Sequence, residues 1–410
     1  MVSNASKGNA AALAGLTVLE YAGFVAGPSC GKLLADMGAE VTKVEPPTGD
    51  QARHLGPFPA GAVGPETSAL FLYLNTNKKS VTIDGSCPTG AELLRSLAST
   101  ADVLIEDKPP GVMEASGLGY EALRKDNPGL VYLSITPFGQ TGPYSRFKAY
   151  DLNVFFSGGE GYTLPGSMSH ALFPERGPVR AGGYLAQYDS GLVAGIAIVA
   201  ALLDRGVSRQ GSHLDLSQQE TAMAMARETL QRYAGYGEVV DRSRAYFYGG
   251  IFPCQDGYVI LFPREDRHWQ ALCEAMGRPG LASESRFADF ASRKANRLEL
   301  NEILRTWTRD LPMERIYHEA AGRGCPAAPY HTAADLATSE QLEARRFFTE
   351  LDHPVAGRLQ YPTAAYGMSA TKPVYRSAAP LLGEHNEELF CGRLGLSPRE
   401  LADLGRSGVL

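Results

Sequence analysis

Residues 16–45, LTVLEYAGFVAGPSCGKLLADMGAEVTKVE, decide the fold. An apolar run through Tyr21 predicts a strand, Pro28 suits the first turn of a following helix, and a second apolar run ends at Glu45. Strands and helices continue to alternate as far as Gly139. Such alternation is typical of a parallel sheet with helices on both faces, so the sequence predicts an α/β fold.

A parallel sheet raises the question of a dinucleotide site. Glu45 stands about where a ribose-binding acid would lie. The glycines do not fit, because Gly23, Gly27 and Gly31 lack the GxGxxG spacing. The pattern therefore does not favour NAD, although the carboxyl ends of the strands still form a crevice of the kind that binds nucleotides.

Composition narrows the class of protein. The 410 residues are 44% hydrophobic and 20% charged, which predicts a globular chain with two domains. A net charge of −6 argues against a general nucleic-acid binder. Six scattered cysteines without a CxxC pair indicate neither zinc nor disulfides, and residues 1–14 resemble a disordered lead-in rather than a signal peptide. We therefore expect a cytoplasmic protein without metal or membrane association.

The chemistry is predicted between Lys148 and Leu203, a glycine-rich stretch with two acids, Asp151 and Asp189. The apolar run 192–203 predicts a buried helix of twelve residues, too short to span a bilayer, with Asp189 at its start. An acid there either caps free backbone N–H groups or is kept ionised by them as a nucleophile. The position alone leaves both explanations open.

A smaller domain is predicted at residues 225–325, where amphipathic helical stretches such as WQALCEAMG follow one another. The pair Gly249–Gly250 leads into a hairpin that turns at residues 255–257. Residues 15–224 and 326–410 remain for the large domain.

Several motifs occur together in one order along the chain. They are the 16–50 stretch, LNTNKKSVTID (74–84), PGVMEASGLGYEALRKDNPGLVYLSITPFGQTGPY (110–144), the Asp189 segment, QLEARRFF (341–348), HPVAG (353–357) and PLLGEHNEE (380–388). In this order they resemble the family III CoA-transferases, from about Leu13 onward. The resemblance implies a Rossmann-like large domain built from both ends of the chain, a small α+β domain, and a homodimer of interlocked subunits.

The resemblance also implies a reaction. CoA moves from an acyl-CoA to a free carboxylic acid through an aspartyl anhydride and an aspartyl-CoA thioester, and Asp189 matches the reacting aspartate. Gly249 and Gly250 would offer backbone N–H groups to the tetrahedral oxyanions, and Tyr150 and Asp151 would orient substrate.

CoA itself is expected to contact residues spread over the large domain. These residues are Val25, Ala26, Ile83, Asp84, Asp107, Lys108 and Lys148. Lys78 and Lys79 are interpreted as solvated surface charges. The chain also departs from the family pattern at Asp107, Lys108, Ala115, Pro46 and Ser86. These departures put the affinity for CoA or its pose in question.

Two alternatives remain. Racemases of the same family use a histidine and aspartate pair, but Tyr150 stands where that histidine would be, and tyrosine, with a pKa of about 10, is a poor base at neutral pH. A non-catalytic paralogue that binds CoA esters is the other.

His170 lies near the site in sequence but is interpreted as solvated. The loop 158–183 is expected to shape the acyl pocket, with Arg176 or Arg180 able to pair with a substrate carboxylate.

Overall fold

The computed structural model describes residues 11–59, 61–166, 174–240, 242 and 248–410. The chain divides into two compact units. The first contains residues up to Leu164, Pro178–Val239 and Arg346–Leu410, and the second contains Pro165–Gly177 and Val240–Arg345. Both ends of the chain thus contribute to the first unit.

A six-stranded parallel sheet forms the centre of the first unit, and its strand order is β3-β2-β1-β4-β5-β6. The strands are β1 (Thr17–Tyr21), β2 (Glu40–Glu45), β3 (Lys78–Thr82), β4 (Val103–Glu106), β5 (Val131–Thr136) and β6 (Ser212–Ser217). The order reverses between β1 and β4. In open α/β sheets the crevice at such a reversal, beyond the carboxyl ends of the strands, is where ligands bind. The predicted α/β class is confirmed.

Helices cover both faces of this sheet. They are α1 (Ala26–Asp36), α2 (Ala69–Leu74), α3 (Pro88–Ala98), α4 (Val112–Ala115), α5 (Tyr120–Leu123), α6 (Asp151–Ser157), α7 (Leu185–Ser208), α8 (Gln218–Met225) and α9 (Arg227–Tyr236), with short 3₁₀ turns at Gln51–His54 and Glu160–Thr163. Helices α1 and α7 share one apolar core with the sheet. Helices α3 and α5 and the end of the chain share the core on the other face.

Helix α7 is longer than predicted. It begins at Leu185 and ends at Ser208, so it has 24 residues rather than the twelve of 192–203. By length and composition alone it is the one helix in the described ranges that could cross a membrane. Its Ala194 and Ile198 are fully buried in the core shared with α1 and β5.

The second unit carries a three-stranded antiparallel sheet of β7 (Gly250–Cys254), β8 (Gly257–Leu261) and β9 (Ala327–Pro329). Its helices are α10 (Asp266–Ala275), α11 (Phe290–Ala295), α12 (Arg297–Thr308), α13 (Met313–Ala321), α14 (Ala333–Ala337) and α15 (Glu340–Ala344), with a 3₁₀ turn at Pro279–Ser283. The unit lies later in the chain than the predicted 225–325. The reason is that β9 pairs with β8 beyond residue 325, while α9 contacts α8 of the first unit.

The first unit is completed by the hairpin β10 (Phe348–His353) and β11 (Gly357–Pro362), a π-helix at Glu387–Arg393 and α16 (Pro398–Arg406). The predicted lead-in 1–14 lies partly outside the described residues. Residues 11–14 form a turn that belongs to the fold, since the Leu13 backbone N–H donates to the Met37 carbonyl at 2.9 Å. All six cysteines are free thiols.

Candidate active site

The crevice at the strand reversal is bordered by the loops that follow β1 and β4. The two loops are joined by a hydrogen bond of 2.8 Å from the Gly23 backbone N–H to Asp107 Oδ2. Lys108 Nζ lies 2.8 Å from Asp107 Oδ1 and 4.1 Å from the centre of the Tyr21 ring. Two segments predicted to contact CoA, Val25–Ala26 and Asp107–Lys108, therefore meet at the place where the fold binds ligands.

The loop after β1 also packs against the start of α7. Phe24, which has a left-handed backbone (φ 62°), places its ring 4.8 Å from that of Tyr184. Further along α7, Gly191 lies so close to α1 that a Cβ there would be 1.8 Å from Ser29 Oγ and 2.8 Å from the Ala26 carbonyl oxygen. The structure thus brings Val25–Ala26 beside the helix turn that carries Asp189.

Asp189 is not at the start of its helix, and this part of the prediction is wrong. It is the fifth residue of α7, because the helix begins at Leu185. The free N–H groups of the first turn are bound by Asp151 instead, whose Oδ1 accepts from the Gln187 backbone N–H at 3.2 Å. Asp151 is buried and caps the first turn of α7, and its role in orienting substrate remains a prediction.

The electrostatics of Asp189 differ from expectation for the same reason. Burial and the nearby charge of Asp151 raise the pKa of Asp189, whereas a helix cap would have lowered it. Burial also raises the pKa of Asp151, against the opposing effects of hydrogen bonds from Gln187 and Ala186 and of the Arg180 charge. Asp189 is half-buried.

A third acid, Glu160, was not singled out from the sequence. Burial and the charge of Asp189 raise its pKa, and its Oε2 atom is buried without a hydrogen-bond partner among the described residues. It lies in the Gly-Gly-Glu-Gly stretch of the loop expected to shape the acyl pocket. The sequence signal that could have identified Glu160 was an acid flanked by glycines in that loop.

Most of the other predicted CoA residues are buried. The side chains of Val25, Ala26 and Ile83 are buried in the unit. The Asp84 carboxylate is held by Ser86, with Oδ1 accepting from the Ser86 hydroxyl at 2.6 Å and from its backbone N–H at 3.0 Å.

Lys148 and Tyr150 are both exposed. Within the described ranges Lys148 has no ion-pair partner, so its ammonium group is available for an anion. Lys79 is partly exposed and pairs with Glu388 at 2.8 Å. Lys78, by contrast, is 3% exposed, so its interpretation as a surface charge is wrong.

The Gly249–Gly250 pair lies in the second unit, and the predicted hairpin is present as β7 and β8. Both residues have positive φ, and a Cβ on Gly249 would be 2.6 Å from the Leu261 carbonyl oxygen. The Gly249 N–H already donates to Asn301 Oδ1 at 2.9 Å. The oxyanion role remains a prediction, and for Gly249 it would require that hydrogen bond to break.

Two further residues bear on the predictions. His170 lies outside the described residues. Glu45 is fully buried and ion-paired with Arg53 at 2.7 Å, so its carboxylate is not available to a ribose.

Comparison with known proteins identifies the class of enzyme. Residues 13–386 match the model of CoA-transferase family III, and the chain belongs to that family. It is 32% identical over 399 residues to a succinyl-CoA:D-citramalate CoA-transferase of Chloroflexus aurantiacus, covering 96% of each chain. It is 31% identical over 427 residues to a formyl-CoA:oxalate CoA-transferase of Streptomyces avermitilis, covering 97% of this chain and 99% of the relative.

A solved structure agrees with this assignment. A CAIB/BAIF family protein from Brucella suis is 32% identical, with a TM-score of 0.83 over 93% of this chain and 99% of the other. The protein is therefore a CoA-transferase of family III, and CoA thioesters and carboxylic acids are its substrate classes.

Proposed function

We propose that the protein moves CoA between two carboxylic acids with Asp189 as the covalent nucleophile. The observation that carries this proposal is the half-buried carboxylate of Asp189 beside the ligand crevice of the sheet, on a helix turn fixed by Gly191 and Asp151. A carboxylate is a weak nucleophile in water, but a thioester held in line beside it reacts far faster because orientation is already supplied.

The reaction proceeds in balanced exchanges. An Asp189 oxygen bonds to the thioester carbonyl carbon, and the carbon–sulfur bond breaks to give an acyl-aspartyl anhydride and CoA thiolate. The thiolate then attacks the Asp189 carbonyl of the anhydride, which releases the donor acid and leaves an aspartyl-CoA thioester. The acceptor carboxylate attacks the Asp189 carbonyl of that thioester, which expels CoA thiolate and forms a second mixed anhydride. The thiolate then attacks the acceptor carbonyl of this anhydride, which gives the new acyl-CoA and releases the Asp189 carboxylate. No net proton is consumed.

The acceptor is proposed to be a dicarboxylic acid. Citramalate and oxalate, the acceptors named for the two relatives, each carry two carboxyl groups. The site contains three acids, Asp151, Glu160 and Asp189, which would repel such a dianion. Arg180 is exposed and its charge acts on Asp151, so it supplies a cation for the second carboxylate.

A homodimer is proposed as the active form. Helix α7 exposes an apolar stripe of Leu192, Ile196, Leu203 and Val207, spaced by four, seven and four residues, and Val207 is 87% exposed. Such spacing puts the four side chains on one helix face. A second copy of the chain would cover them, and native mass spectrometry tests this directly.

The transferase proposal is tested with a panel of acyl-CoAs and free acids in D₂O, followed by mass spectrometry. We expect CoA to appear on the acceptor acid without deuterium at the α-carbon. Deuterium wash-in without transfer would support the racemase alternative. Binding of CoA with neither reaction would support the non-catalytic alternative.

A further inference from the structure

Two lysines have their ammonium groups inside the first unit. Lys43 on β2 and Lys78 on β3 have side chains that are 0% exposed. Glu20 on β1 pairs with both, since Oε1 lies 3.0 Å from Lys43 Nζ and Oε2 lies 2.7 Å from Lys78 Nζ. Asp50 adds a contact of 2.6 Å to Lys43. One acid thus links two buried cations across three neighbouring strands.

Both lysines also hold the loop that leaves β1. Lys43 donates to the Ala22 carbonyl at 2.9 Å, and Lys78 donates to the Pro28 carbonyl at 2.8 Å. Between these points Asp50 Oδ1 accepts the Phe24 backbone N–H at 3.0 Å. The segment 22–28 is therefore fixed at both ends and at the middle by charged groups beneath it.

Stability alone does not account for these charges. Burial lowers the pKa of Lys78 to about 8, so keeping its charge has a free-energy cost. Replacing buried ion pairs with apolar residues is often neutral or stabilising. What the charges add is a fixed geometry for a loop whose Phe24 has a left-handed backbone, a conformation that is unfavourable for a non-glycine residue.

The fixed segment includes the first turn of α1, an eleven-residue helix. In this buried turn Ala26 and Gly27 have backbone N–H groups without a partner inside the helix, whereas Pro28 has no N–H. This turn lies at the strand reversal and beside the Asp189 helix, where the proposed function requires the diphosphate or thioester part of CoA.

We propose that Lys43 and Lys78 are positioning residues for CoA, which hold the 22–28 segment in the conformation that binds it. The proposal rests on the proposed function for the identity of the ligand. The lysines do not touch the ligand, so their effect is transmitted through the loop. It should appear in the affinity for CoA and not in the affinity for the acceptor acid.

Helix α1 contains a matched control. Lys32 is also buried, at 6% exposure, and its Nζ lies 2.9 Å from Asp36 and 2.7 Å from Thr76. These partners are side chains, and among the described residues Lys32 makes no hydrogen bond to a carbonyl of the 22–28 segment. Lys32→Met and Lys78→Met therefore remove the same charge from the same depth, but only the second releases the loop.

The test is calorimetric titration of each variant with CoA, combined with hydrogen exchange of peptides covering 22–28. We expect Lys78→Met to weaken CoA binding about tenfold or more and to speed exchange in this segment, with Lys32→Met close to wild type in both. Equal effects of the two variants, or no effect of Lys78→Met, would overturn the proposal. If Lys78→Met does not fold, the isosteric Glu20→Gln replaces it, with the same expectation and the same contradicting results.

This test does not depend on turnover. A wild-type protein that binds CoA but transfers none would contradict the proposed function and leave the positioning role to be judged by the titrations. A wild-type protein with full transferase activity, whose Lys78→Met variant binds CoA normally, would contradict only the positioning role.

Discussion

The Asp151 carboxylate accepts the backbone N–H of Gln187 at 3.2 Å, and this hydrogen bond places one acid at the start of the helix that carries another. Asp151 occupies the position that the sequence suggested for Asp189. Its charge then raises the pKa of Asp189, two residues further along the helix from Gln187. The proposed nucleophile, Asp189, thus lies on a helix whose first turn is capped by an acid that also makes Asp189 harder to ionise.

This relationship predicts a pH effect. Asp189 must be ionised to attack, so the rate falls as pH falls through its pKa. Asp151→Asn removes the neighbouring charge but keeps an amide oxygen to accept the Gln187 N–H, so it lowers the pKa of Asp189 and moves the acidic limb of kcat to lower pH.

The control is Asp215→Asn, which removes an exposed acid of the same unit that binds the Gln140 N–H. Asp215→Asn should leave the acidic limb of the pH profile of kcat unchanged. An acidic limb that stays fixed, or moves upward, in Asp151→Asn would show that Asp151 does not set the pKa of the nucleophile.

The close approach of α1 and α7 predicts opposite effects at two glycines of one helix. A Cβ at Gly191 would meet Ser29 Oγ at 1.8 Å, whereas a Cβ at Gly195 would lie 3.6 Å from the nearest atom, on Leu33. Gly191→Ala should lower the free energy of unfolding by about 1–3 kcal/mol through overpacking. Gly195→Ala should raise it by up to about 1 kcal/mol through helix propensity. Urea denaturation measures both, and equal signs would contradict the described packing.

Arg180 predicts acceptor specificity. If its guanidinium pairs with the second carboxylate of the acceptor, Arg180→Gln should raise KM for a dicarboxylic acid about tenfold and leave KM for a monocarboxylic acid unchanged. Arg124→Gln, which removes a surface cation paired with Glu121, is the control and should change neither. An equal rise in KM for both kinds of acid would show that Arg180 does not determine acceptor specificity.

Much of the fold could be predicted because strands and helices of this kind have local patterns of apolar and polar residues. The runs ending at Tyr21 and Glu45 are apolar over a strand length, and both form neighbouring parallel strands. The helix start at Leu185 could not be predicted in the same way. Gly191 resembles a helix breaker until α1 is seen to pack against it, which depends on residues far away in the sequence.

The errors at the site have the same origin. Lys78 looks like a surface charge because its neighbour Lys79 is one, yet its partner Glu20 lies 58 residues earlier. The Gly249 N–H looks free until Asn301, 52 residues later, is found to accept it. Contacts of this range carry no local signal in the sequence, whereas the resemblance to the family proposes Asp189 and Val25–Ala26 as site residues without them.

The central claim is that Asp189 becomes acylated. The direct measurement is mass spectrometry of the protein after incubation with succinyl-CoA and treatment with hydroxylamine, which converts an activated aspartyl group to a hydroxamate. The expected result is a hydroxamate on the peptide that carries Asp189, absent from Asp189→Asn and from protein without the thioester. Transfer of CoA by wild-type protein with no modification at Asp189, or an active Asp189→Asn variant, would contradict the account.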